Sequence, residues 1–214
     1  MKSSKNYQNI KNTLSNSRLA TYEKFTTDTV QALDLYRWNL QISAALFECL
    51  AVCEVVVRNA VANAIQAEHG TDWAFNVRFV RTMQQNRRDE LLDVRKETTE
   101  QMICELPFVF WQGFFTARFD DELWKKHWAV ALPNAKHADL PTMRAEVFDN
   151  LEKIRKLRNR IAHHEPIFNR NLQGDYKRIV KIIGYCSSDT AQWVQSWQRV
   201  DEVLANKPQP VLNP

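Results

Sequence analysis

Glycine and proline are scarce in this chain, four and seven among 214 residues. So little punctuation argues against an all-β sandwich or a glycine-rich nucleotide fold. Neither GxGxxG nor GxxxxGK[ST] occurs, so the common phosphate-cradling loops are missing. There is no CxxC and no HExxH, and no metal or other cofactor is implied. The four cysteines are Cys49, Cys53, Cys104 and Cys186. Cys49 and Cys53 lie four apart in an apolar segment, where one helix face buries both as small core hydrophobes. The opening "MKSSKNYQNIKNTLSNSRLA" lacks the apolar centre of a signal peptide. No uninterrupted apolar run of about 18 residues is read, so no membrane span is expected. A reduced, cytoplasmic protein is the simplest expectation.

What is present is helical patterning. Hydrophobic residues make up 44% and charged residues 25%, the balance of an ordinary soluble domain. Residues 1–17 are polar and expected to be loosely held. A first helix carries Leu19, Tyr22 and Phe25. The stretch from Asp28, a candidate N-cap, to Gly70, a candidate stop, has no proline or internal glycine. Leu35, Leu46, Leu50, Val57 and Val61 fall there at helical spacings, which predicts a long helix, with Trp38–Asn39 as the place for a break. A charged helix is expected over about 82–104. An aromatic segment follows from Pro107: Phe108, Phe110, Trp111, Phe114, Phe115, Phe119, Trp124 and Trp128. Aromatics this dense read as core or subunit interface before they read as a base-stacking platform. From Thr142, residues Val147, Leu151, Ile154, Leu157 and Ile161 form an apolar stripe. Pro166 disfavours helical geometry at Glu165, so that helix should end near His163 or His164. Helices over about 174–186 and 189–205, with Asp175 and Asp189 as candidate caps, and a tail over 207–214 complete the chain. The fold expected is all-α, with one domain over 18–206.

Charge concentrates around the end of the Thr142 helix. Residues 151–181 hold nine Lys/Arg against three acids, a local +6 that leaves −2 for the rest of a chain whose total is +4. A basic field of this kind suits a polyanion, although a solvated helix face has the same composition. Within it lies "RNRIAHHEPIFNR", residues 158–170.

Arg158, Asn159 and His163 there make the pattern Arg-polar-x-x-x-His, which resembles the signature of HEPN-type ribonucleases. More of the chain is similar to the Abi-like, or abortive-infection, group of that superfamily. "LYRWNLQISAALFECLAVCEVVVRNA" resembles its long N-terminal helix, "HGTDW" the turn after it, and "LPFVFWQGFF" with Leu123–Trp124 its aromatic middle. "LRNRIAHHEPIF" is the nearest match. Val109 stands where a glycine is expected between the phenylalanines. The resemblance implies a HEPN-like helical bundle with long antiparallel helices and a metal-independent endoribonuclease. Such an enzyme is the toxin of an abortive-infection or toxin–antitoxin system, restrained by an antitoxin protein or RNA. It implies Arg158 and His163 as catalytic residues, supported by Asn159, His164 and Glu165. It also implies a homodimer whose two motifs face one cleft.

The chemistry suits those residue types. Metal-free RNA cleavage needs a base for the 2′-hydroxyl proton, an acid for the departing 5′-oxygen, and a cation for charge on phosphorus. Histidine titrates near neutrality and can be either base or acid. Arginine grips phosphate oxygens with a fork that keeps its charge. Attack by the 2′-hydroxyl leaves a 2′,3′-cyclic phosphate, and DNA cannot react this way. Geometry sets a condition. On an ideal helix Arg158 and His163 project about 140° apart, so either the helix unwinds between them or a second copy supplies the partner group. Arg155, Arg160, Arg170, Lys177 and Arg178 are the candidate RNA contacts. Arg58 and Asn59 are expected to pair with an acid in the bundle. His69, His127 and His137 are read as surface or core residues. Two other readings stay open: a non-catalytic RNA-binding or adaptor module of the same fold, and a helical interaction protein that touches no nucleic acid.

Overall fold

The computed structural model describes residues 4–136 and 139–209. His137 and the ends of the two terminal segments, residues 1–3 and 210–214, lie outside the described residues. Among the described residues there are helices and short 3₁₀ or π turns and no strand, so the protein is all-α. In chain order the α-helices are α1 Ser4–Leu14, α2 Asn16–Glu23, α3 Thr29–His69, α4 Val77–Thr82, α5 Gln85–Asp93, α6 Thr99–Glu105, α7 Phe108–Gln112, α8 Lys125–Ala131, α9 Leu140–Ala162, α10 Leu172–Cys186, α11 Ser188–Trp197 and α12 Val200–Ala205.

Local chemistry explains where these helices begin and stop. Asp28 Oδ1 accepts the Gln31 N–H at 2.9 Å and opens α3. The helix then runs unbroken through Trp38–Asn39 to Gly70, whose φ of 85° only glycine adopts without strain. By length and composition α3 is apolar enough to cross a membrane: an 18-residue window reaches a mean hydropathy of 1.9, with 44% of it buried inside the chain. Scattered polar residues interrupt this stretch, so it holds no unbroken apolar run of that length and a search for such runs passes over it. Asp139 caps α9 through the Thr142 N–H at 3.0 Å, so the helix begins at Leu140, two residues before the expected Thr142. The charged helix expected over 82–104 is two, α5 and α6, with Thr82 already the last residue of α4. Met83 and Gln84 are extended between α4 and α5, and Thr98 and Gln101 form a capping box that starts α6 afresh. The first residues, expected to be loose, carry α1, tied by an ion pair from Lys11 to Glu23 at 2.7 Å.

Where one domain was expected, the described chain divides into two compact units, and α3 and α9 each contribute residues to both. The first takes its described residues from Met1–Glu48, Leu157–Tyr176 and Gln198–Pro214. Its centre is aromatic. Phe168 packs on Tyr22 and Phe25 with ring centroids 5.1 and 4.9 Å apart. The Trp38 indole donates to the Val203 carbonyl at 2.7 Å, and Lys207 donates to the Phe168 carbonyl at 2.9 Å.

The second unit comprises Cys49–Lys156 and Lys177–Trp197. Its core is the aromatic segment, with Phe108, Phe110, Trp111, Phe114, Phe115, Phe119 and Trp124 all buried. Phe115 stacks on Trp124 at 4.7 Å, and the Trp124 indole donates to the Phe114 carbonyl at 2.7 Å. Burying each such ring contributes roughly 1.5–3 kcal/mol. Cys53 and Cys49 are wholly buried as small hydrophobes, and burial pushes the Cys53 thiol up. His127 meets Glu68 at 3.0 Å, and His69 meets Glu122 at 3.3 Å while stacking on Phe79.

Candidate functional site at the C-terminal end of α9

Leu157 and Ile161 carry the apolar stripe of α9 into the first unit, and both are buried. With these two facing inward, Arg158, Asn159 and Arg160 are held half-buried on the helix flank. The α-type bond from His163 N–H to the Asn159 carbonyl, 3.0 Å, shows that the backbone is still helical as far as His163. Arg158 and His163 therefore keep their divergent directions within one chain, and His163 is exposed.

The turn comes one residue later. His164 has φ of 55°, a left-handed conformation rare for any residue but glycine. Its N–H donates to the Ile161 carbonyl at 3.0 Å, and the Glu165 N–H donates to the Arg160 carbonyl at 2.8 Å. These are the paired bonds of a Schellman C-cap, with a histidine where glycine is usual. The His164 carbonyl accepts from Arg18 of α2 at 2.7 Å. Beyond Pro166, the Ile167 N–H is bonded by the side-chain oxygen of Asn39 at 2.8 Å, and both residues are buried. Two contacts distant in sequence thus fix the end of the motif.

This turn puts His164, not His163, in company with Arg158. Both line a hollow of about 310 Å³. Ile161 and Ala162 of α9 line it too. Its other wall is one face of α3, made by Leu40, Ser43, Ala44 and Phe47. Leu40 and Phe47 are 44% and 45% exposed, high for large apolar side chains on a core helix.

Many charges of the basic segment are committed to acids. Arg160 pairs with Glu165 at 3.2 Å and donates to the Pro166 carbonyl at 2.8 Å, which closes the turn. Glu165 is thereby a clamp on the helix end. Arg170 pairs at 3.0 Å with Asp175, which is buried, so Asp175 is no cap; Asn171 opens α10 by accepting the Gly174 N–H at 2.9 Å. Likewise Ser187, not Asp189, caps α11 through the Thr190 N–H at 3.1 Å. In the second unit Arg155 holds Glu152 with contacts of 2.9–3.1 Å. Burial pushes the Glu152 carboxyl up, but bonds from Gln112, Arg155 and Lys156 outweigh it and hold the group below its ordinary range. Lys177 is exposed and Arg178 half-buried in that same unit. Arg58, expected to find an acid there, makes a long 3.5 Å contact to its neighbour Asn59.

Arg18, Asn39 and the α3 wall are the parts of the site that the motif alone does not announce. Asn39 is the one polar residue buried on α3 among the described residues. No family model, no curated protein and no solved structure matches this chain.

Proposed function

We propose that the chain is a metal-independent endoribonuclease of the HEPN type, Abi-like, with a HEPN-like helical bundle. In this reading it works in the cytoplasm as the restrained toxin of a phage-defence or toxin–antitoxin system. The observation that carries the reading is the meeting of Arg158 and His164 on one hollow at the helix end, one residue from the exposed His163. A guanidinium there can hold the non-bridging oxygens of a phosphodiester and offset the charge gained as the 2′-oxygen attacks phosphorus. One imidazole takes the 2′-hydroxyl proton while the other returns a proton to the 5′-oxygen as the P–O5′ bond breaks. His164 takes one of these roles beside Arg158, and the exposed His163, which diverges from Arg158 within one chain, takes the other at the motif of a second copy; the Asn159 carbonyl, accepting from the His163 N–H, and Glu165, paired with Arg160, hold the helix end. The resemblance brings a homodimer with it, two motifs at one cleft, and light scattering of the purified protein reads that directly.

The test compares RNA cleavage by the wild type with Arg158→Ala, His163→Ala and His164→Ala. Arg158→Ala should cost roughly 10²–10³-fold, and loss of an imidazole roughly 10²–10⁴-fold. Wild-type cleavage rates in folded Arg158→Ala would refute the site. RNA that binds at low salt and is never cut would establish the adaptor reading instead.

A further inference from the structure

We infer that the hollow beside Arg158 seats one nucleobase of single-stranded RNA, with Phe47 as the stacking ring and Ser43 as the group that meets the base edge; this rests on the ribonuclease reading above.

The composition of the hollow points to this occupant. The α3 side offers a flat apolar wall, Leu40 and Ala44 with the Phe47 ring, broken only by the Ser43 hydroxyl. The α9 side offers Arg158 and His164 beside the apolar Ile161 and Ala162, and of the eight residues that line the hollow none is acidic. A nucleotide has the matching layout: an uncharged π face joined through the ribose to an anionic phosphate. A base slid against Phe47 leaves its phosphate toward Arg158 and His164. The volume, about 310 Å³, lies at the small end of the roughly 300–1,000 Å³ of small-ligand sites and suits a single heterocycle. The exposure of Leu40 and Phe47, 44% and 45%, follows, because a stacking platform has to stay open until the base arrives. A hydroxyl both donates and accepts, so Ser43 can pair with any base edge and tune preference without excluding one.

The probe is a short single-stranded RNA with 2-aminopurine at one position and 2′-O-methyl riboses, which leave no 2′-hydroxyl to attack, titrated against the full chain, its fluorescence quenched when the base stacks. Phe47 is exposed, so Phe47→Ala and Phe47→Trp leave the core intact. Phe47→Ala should weaken binding roughly tenfold and relieve the quench, and Phe47→Trp should restore both. Equal affinity and equal quench in Phe47→Ala would overturn the seat. Cleavage lost in Arg158→Ala would show at the same time that the ribonuclease reading survives. If the wild type cuts no RNA yet shows a quench that depends on Phe47, the seat stands and the ribonuclease reading falls. If Phe47→Ala instead converts a dimer to a monomer in light scattering and leaves the quench unchanged, a second copy covers the hollow and the seat is overturned.

Discussion

Replacing His164 by glycine should make the protein more stable while taking an imidazole out of the hollow. The reason is the backbone. At φ of 55° a side chain crowds the following carbonyl, at a cost of roughly 1–2 kcal/mol that glycine does not bear. Glycine loses more conformational freedom on folding, about 0.5–1 kcal/mol relative to alanine at an ordinary position. The comparison is cleanest between His164→Gly and His164→Ala, because both delete the imidazole. Both also keep the backbone bonds at Ile161, Glu165 and Arg18. Strain relief should win by about 1 kcal/mol in favour of glycine, the reverse of the order in a helix interior. Urea unfolding followed by circular dichroism reads it. With m of roughly 1–3 kcal/mol/M, the glycine midpoint should lie about 0.3–1 M above that of alanine. RNA cleavage should fall in both variants alike, which separates stability from chemistry at one position. An alanine variant as stable as glycine, or more so, would refute the strained cap.

Asn39→Ala should cost about 1–3 kcal/mol, since it strips the partner from the buried Ile167 N–H, and thermal unfolding measures this. It should also lower RNA cleavage, because the segment after the motif loses its anchor. Tyr22 gives a pH signature. Burial, and then the neighbouring Tyr36, push its phenol up from 10.0 to about 12. The folded state therefore keeps the proton that the unfolded chain releases. The stability it adds is whole below pH 10 and is lost as pH rises toward about 12. Tyr22→Phe should flatten the fall in melting temperature over that window, and an unchanged slope would show that Tyr22 is not its source.

The long helices were legible because their signals are local. Asp28 and Gly70 bound α3, and the α9 stripe from Val147 to Ile161 is buried throughout. The breaks at Met83–Gln84 and Thr98 were missed because no proline or glycine marks them; extended backbone and a capping box do the work. In the site, Arg158 and the pair of histidines stood out from their spacing, whereas which imidazole meets Arg158 did not. That depends on a left-handed residue at His164, and a sequence rule would assign that conformation to glycine. The Asn39–Ile167 bond spans 128 residues and has no local trace. The basic segment suited a polyanion and a solvated helix face alike, and charge counting does not register that Glu152, Glu165 and Asp175 hold Arg155, Arg160 and Arg170.

The most direct measurement is to incubate the purified protein with total RNA in EDTA and determine the chemistry of the new ends. Fragments with 2′,3′-cyclic phosphate and 5′-hydroxyl ends, absent when Arg158→Ala replaces the wild type, are the predicted result. RNA left whole by the wild type, or cut to the same ends by Arg158→Ala, would contradict it.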